Sequence, residues 1–191
     1  LPNYTGSNTS AVIDNLNARV YAWWVIVAVI GLALVIGQTG VTLLFAFASF
    51  AALREFAMAT TTQRGNRALL MTSLFFILPI QYLLIWFENY ALYTTFIPIY
   101  AFLVLPMIAV MASDRCKFLP RATTIQWGLM ICVYCISHVP ALLTLQIPGY
   151  EGRNAFLLVF LILVVQSSDV LQYIWGKLAG RHKIAPALSP S

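Results

Sequence analysis

Charge is what this sequence has least of. Only 9% of its 191 residues are Asp, Glu, Lys or Arg, against roughly 25% in a soluble domain. Acidic residues are the scarcer sign, 6 against 11 basic. With 61% hydrophobic residues and a mean hydropathy of +0.84, a water-soluble globular domain is excluded. Cysteine is sparse too. Cys116, Cys132 and Cys135 sit in or beside apolar runs, which excludes a disulfide framework. Residues 1–20 are polar and precede no small-residue cleavage site, so they do not read as a secretory leader. The sequence shows no internal repeat and no low-complexity stretch, and leaves no room for a separate soluble domain.

Long apolar runs are what is there. They cover approximately residues 21–37, 41–58, 69–87, 91–112, 124–146 and 154–175. Each is near the ~20 residues that cross a ~30 Å hydrocarbon core. Backbone in lipid must pair its polar groups internally, so each run is expected to be helical. The chain therefore reads as an all-α, polytopic transmembrane bundle of about six spans over residues 21–175. Gln38, Thr39 and Gly40 alone separate the first two runs, which predicts a tight helical hairpin. Residues 1–20 are expected to be a cytoplasmic or interfacial segment, with 11–20 (AVIDNLNARV) a short surface helix carrying Val12, Leu16 and Val20 on one side. Pro79, Pro98, Pro106 and Pro140 lie inside runs. They predict kinks whose freed carbonyls are bonded by neighbouring helices. Trp23, Trp24 and Trp127 stand at run ends, as aromatic belts do.

Positive charge sets the orientation. All Lys and Arg except Arg153 fall before the first run or after the second, fourth and sixth. That asymmetry places both ends of the chain in the cytoplasm, and six spans require the same.

The few polar groups inside the runs carry the functional signal. A carboxylate at the centre of a membrane helix costs about 3 kcal/mol on insertion scales. Glu88, beside Asn89 in an outer loop, reads as solvated, and Glu55 after Arg54 as half of a surface ion pair. Asp169 is different, because apolar residues surround it. At 100° per residue Gln166, Asp169, Tyr173, Gly176 and Gly180 share one face if the helix continues, with Lys177 flanking it. Such a stripe lines a water-filled cleft, or Asp169 pairs with Lys177 or a basic loop residue as structural glue; these residues alone leave both open. Lys177, Arg181, His182 and Lys183 then follow, interspersed with Gly176 and Gly180. Clustered cations bind phosphate, glycines allow close backbone approach, and one carboxylate plus phosphates is the usual way Mg²⁺ is held. The bland alternative is a set of basic anchors on anionic headgroups. Cys132, Cys135 and His138, at i, i+3 and i+6, spread over about 120° of one helix without a visible fourth ligand. They read as packing residues rather than a metal centre.

The stretch from Ser168 resembles the phosphatidate cytidylyltransferase family, also called CDP-diglyceride synthases. That family carries S-D-x-x-x-Y-x-x-G-K-x-x-G-[KR]-H-K-x-x-P-x-x-S-P-x-K-T. The matching residues are Ser168, Asp169, Tyr173, Gly176, Lys177, Gly180, Arg181, His182, Lys183, Pro186, Ser189 and Pro190, with the spacing kept throughout. Val170, Leu171 and Gln172 replace the small residues typical of bacterial members, which marks a divergent branch. The chain reaches Ser191 before the expected Lys-Thr and the family's later signature. It is therefore expected to be the N-terminal and middle part of a longer enzyme, inactive alone, with residues 176–191 an incomplete phosphate-binding segment.

The resemblance implies transfer of a cytidylyl group from CTP to phosphatidic acid, giving CDP-diacylglycerol and pyrophosphate in phospholipid biosynthesis. Asp169 is implied as the Mg²⁺ ligand and Lys177 as its catalytic neighbour. Tyr173, Gly176, Lys177, Gly180, Arg181, His182, Lys183, Ser189 and Ser191 are implied around the nucleotide. The basic cluster is thereby assigned to CTP and not to a nucleic-acid polymer. A bacterial inner membrane and a homodimer are implied as well, the latter with Gly176 and Gly180 as a close-packing pair. Two other classes remain. A transporter or flippase of an anionic lipid predicts repeat symmetry; a non-catalytic homologue predicts nucleotide binding without pyrophosphate release.

Overall fold

The structure, a computed structural model, describes residues 5–60, 67–112, 118–150 and 152–179. Among them every regular element is helical. Helix α1 is Thr5–Ile36 and α2 is Gln38–Thr60. Helix α3 joins Arg67–Thr72, Ser73–Ile77 and Leu78–Trp86, and α4 joins Tyr90–Thr95, Phe96–Ala101 and Phe102–Ala112. Helix α5 joins Phe118–Leu129, Met130–Cys135 and Ile136–Ala141, ending in a 3₁₀ turn at Leu142–Thr144, and α6 is Asn154–Ala179. Five stretches are long and apolar enough to cross a membrane: Gln38–Thr60, Leu69–Trp86, Tyr90–Met111, Leu119–Thr144 and Asn154–Gly176. Val20–Ile36, the apolar part of α1, is shorter. The fold is thus an all-α membrane bundle. The surface helix expected over 11–20 is not a separate element, because α1 runs unbroken for 32 residues through it.

The chain divides into two units, Leu1–Thr144 and Leu145–Ser191. In the first, α2 is the axis, packed against α1, α3 and α5. Its hairpin with α1 turns at Gly37, whose φ of 87° a side chain would resist. Gly37 N–H donates to the carbonyls of Ala33 and Leu34, both at 3.1 Å. Gln38, Thr39 and Gly40 form the first turn of α2 rather than a loop. Gly40 is needed for contact: a Cβ there would lie 2.6 Å from the Ala33 carbonyl oxygen. Leu53, Leu69, Leu105, Ile125, Leu129 and Val133 are fully buried in a core shared by α2, α3, α4 and α5.

The turn between α3 and α4 follows from its hydrogen bonds. Glu88 N–H donates to Ile85 O and Asn89 N–H to Leu84 O, both at 3.0 Å. This is the Schellman pattern, with Glu88 in its left-handed position at φ 56°. Asn89 then caps α4, its Oδ1 accepting from Leu92 N–H.

Helices α3, α4 and α5 each contain one π-helical turn, at Ser73–Ile77, Phe96–Ala101 and Met130–Cys135. Such turns accompany prolines or strained packing. Pro106 removes the donor that Phe102 O would receive in an α-helix, and Gln126 Nε2 on α5 supplies one at 2.7 Å. Pro98 does the same to Thr94 O, which accepts from Tyr134 Oη at 3.0 Å. The preceding carbonyl, Tyr93 O, accepts from Gln81 Nε2 at 2.9 Å. The expectation that neighbouring helices bond carbonyls freed by proline thus holds at Pro98 and Pro106.

Candidate functional site

The candidate residues lie in the second unit. It opens with a loop in which Gly149 and Gly152 take φ of 79° and 72°. Tyr150 N–H turns back to Ile147 O at 3.0 Å, and Asn154 Nδ2 donates to Leu145 O at 2.7 Å. Helix α6 then runs for 26 residues without a break. Phe156, Phe160, Leu163, Val164 and Val165 give its first half exposed apolar side chains, as a lipid-facing helix requires.

The helix does not end at Trp175, where the apolar run stops, but continues to Ala179. That continuation decides the geometry. Asp169, Tyr173 and Gly176 are spaced i, i+4 and i+7 on one uninterrupted helix, so they share a face. Asp169 lies seven residues, about 10 Å, inside the end of the apolar stretch at Gly176. Asp169, Tyr173 and Gly176 are all exposed. A Cβ on Gly176 would meet nothing within 4 Å. Gln166, on the same stripe, is half-buried. Lys177 belongs to the same helix. Gly180, Arg181, His182, Lys183, Ser189 and Ser191 lie outside the described residues.

Gln172, from the divergent triplet, was not among the expected site residues. Its Nε2 donates to Ser168 Oγ at 3.3 Å, one residue from Asp169. The signal was in the sequence as two polar residues at i and i+4. Glu55 is exposed near the end of α2. Cys132 is buried in the core while Cys135 is exposed, and His138 Nδ1 is 2.8 Å from Tyr134 O.

The stripe carries one carboxylate, one phenol and one glycine. A single carboxylate leaves most of the coordination sphere of Mg²⁺ to phosphate and water, which is how that ion is ordinarily held beside nucleotides. Among the described residues no three His, Cys, Asp or Glu side chains gather to hold a metal ion, so toward Mg²⁺ Asp169 would be one carboxylate ligand, with phosphate and water as the others.

Residues 17–191 match the cytidylyltransferase family. The chain is also 35% identical over 173 residues to "Uncharacterized protein YnbB" of Escherichia coli (strain K12), which covers 90% of this chain and 55% of that protein. The chain thus spans about half the length of the curated relative it matches. No solved structure matches it.

Proposed function

We propose, because this chain belongs to the cytidylyltransferase family, that its protein is a membrane nucleotidyltransferase making CDP-diacylglycerol from CTP and phosphatidic acid. The observation that carries the reading is the unbroken helix through Asp169, Tyr173 and Gly176. It keeps the spaced motif residues on one face at the border of an apolar span. The lipid phosphate and the triphosphate meet at such a border, since one is anchored in the bilayer and the other is soluble.

In the reaction a phosphate oxygen of phosphatidic acid bonds to the α-phosphorus of CTP. The bond from that phosphorus to the bridging oxygen breaks, and pyrophosphate leaves. Both reactants are anions, so the protein's task is to neutralise and align them. Asp169 would hold Mg²⁺, which when bound supplies charge neutralisation across the phosphates. Lys177, Arg181 and Lys183 would bind phosphate oxygens. Tyr173, His182, Ser189 and Ser191 would donate hydrogen bonds around the nucleotide, and Gly176 and Gly180 would let it approach. The clustering of Lys and Arg supports placing this end of α6 at the cytoplasmic face of a bacterial inner membrane. A homodimer belongs to the same proposal.

The test supplies the full-length protein with CTP, Mg²⁺ and phosphatidic acid. Pyrophosphate and CDP-diacylglycerol should form in equal amounts, and only when all three are present. CTP binding without either product would instead identify a non-catalytic homologue.

A further inference from the structure

Hydroxyls inside these helices mostly satisfy themselves. Thr60, Ser73, Thr94, Thr95, Thr123 and Thr124 each donate to the carbonyl four residues earlier on the same helix. Ser168 does not. Among the described residues its hydrogen bond is the one it accepts, at 3.3 Å, from Gln172 Nε2. Accepting leaves the hydrogen of the Ser168 hydroxyl unspent. The Gln172 amide spends one of its two N–H hydrogens on that bond and keeps the other. Two donors therefore remain on two linked, exposed side chains.

Their place beside Asp169 follows from the helix, which is unbroken from Asn154 to Ala179. At 100° per residue Ser168 and Gln172 stand about 100° and 60° to one side of Asp169, and Tyr173 about 40° to the other. These four polar residues cover about 140° of the helix, with Val170, Leu171, Ile174 and Trp175 on the opposite side. Counted back from the end of the apolar stretch at Gly176, Tyr173 is about 4.5 Å deep, Gln172 about 6 Å, Asp169 about 10 Å and Ser168 about 12 Å. The donor pair thus lies beside the carboxylate, and Ser168 is the deepest of the four.

Donors at that depth suit an acceptor that belongs to the bilayer and sits below a phosphate. A soluble nucleotide has none there. A diacyl lipid phosphate has its ester carbonyls, which lie between the phosphate and the chains and can only accept. With the lipid phosphate held between the levels of Tyr173 and Asp169, those carbonyls fall on the chain side, toward Ser168.

We infer that Ser168 and Gln172 form a subsite for an acyl ester of the lipid acceptor, donating to its carbonyl oxygen and so selecting ester-linked over ether-linked lipid phosphates. The inference rests on the phosphatidic acid reaction proposed above, and adds which part of that lipid these residues recognise. An ether-linked lipid offers no carbonyl. When it covers the pair, both donors lose water and gain nothing, which weakens its binding. The bond between Gln172 and Ser168 makes the two residues act as one unit.

The test uses the full-length protein with CTP and Mg²⁺. Its acceptors are phosphatidic acid and the dialkyl ether analogue with chains of the same length. The parent should favour the ester lipid by about 10-fold in kcat/KM. Ser168→Ala and Gln172→Leu should each bring the ester lipid down to the level of the ether lipid, leaving the ether lipid and the KM for CTP unchanged. Ser168→Thr, which keeps the hydroxyl, should keep the preference. Equal use of both lipids by the parent overturns the subsite. So does an equal loss on both lipids in the variants, which is what a merely structural pair would give. No product from either lipid would instead overturn the proposed reaction itself, and the subsite with it.

Discussion

Asp169 and Glu88 are both carboxylates in a greasy chain, and they do opposite things. Glu88 holds a left-handed backbone at φ 56°, a conformation that costs an L-residue about 1–2 kcal/mol. Its side chain is exposed. Replacing it by glycine should raise stability to denaturant by about 0.5–1 kcal/mol, once the entropy of glycine is subtracted. A loss would show that the carboxylate has a partner. Asp169 stands on an exposed helical face, so its replacement by asparagine should leave Tm unchanged. At this scale the sequence was only half legible. Asp169 was visible because a charge in an apolar run is expensive. Gln81 and Gln126 were not singled out, although each is an amide inside an apolar run. Their roles depend on which carbonyls a different helix leaves free, and periodicity within one run does not carry that.

Between elements, proline and amide act as matched pairs. Gln126→Leu should cost about 0.6–1.7 kcal/mol, the range for hydrogen bonds between membrane helices. In a Pro106→Ala background, where the backbone N–H can return to Phe102 O, the same change should cost measurably less. Equal costs in the two backgrounds would break the link between Gln126 and the kink. The α1–α2 hairpin gives a second test. Gly40→Ala puts a methyl 2.6 Å from the Ala33 carbonyl oxygen, which backbone cannot yield. It should destabilise the fold by about 1–3 kcal/mol in unfolding assays. The apolar runs made these helices legible, since lipid permits little else. The extension of α1 back to Thr5 and of α6 on to Ala179 was not legible, because those turns lie beyond the apolar boundary that marked the runs.

On the scale of the whole molecule, the chain is a membrane bundle, and the motif proposed to carry its chemistry begins in α6. The motif's spacing and the unbroken path of α6 agree on one face for Asp169, Tyr173 and Gly176. The basic residues beyond Ala179 lie outside the described residues, so the sequence alone speaks for them. The most direct measurement compares pyrophosphate release by the full-length protein and its Asp169→Asn variant, with CTP, Mg²⁺ and phosphatidic acid. The account predicts release by the parent and a loss of at least about 100-fold in a variant that keeps its Tm. Equal release by both proteins would contradict it, and would make Asp169 a structural residue.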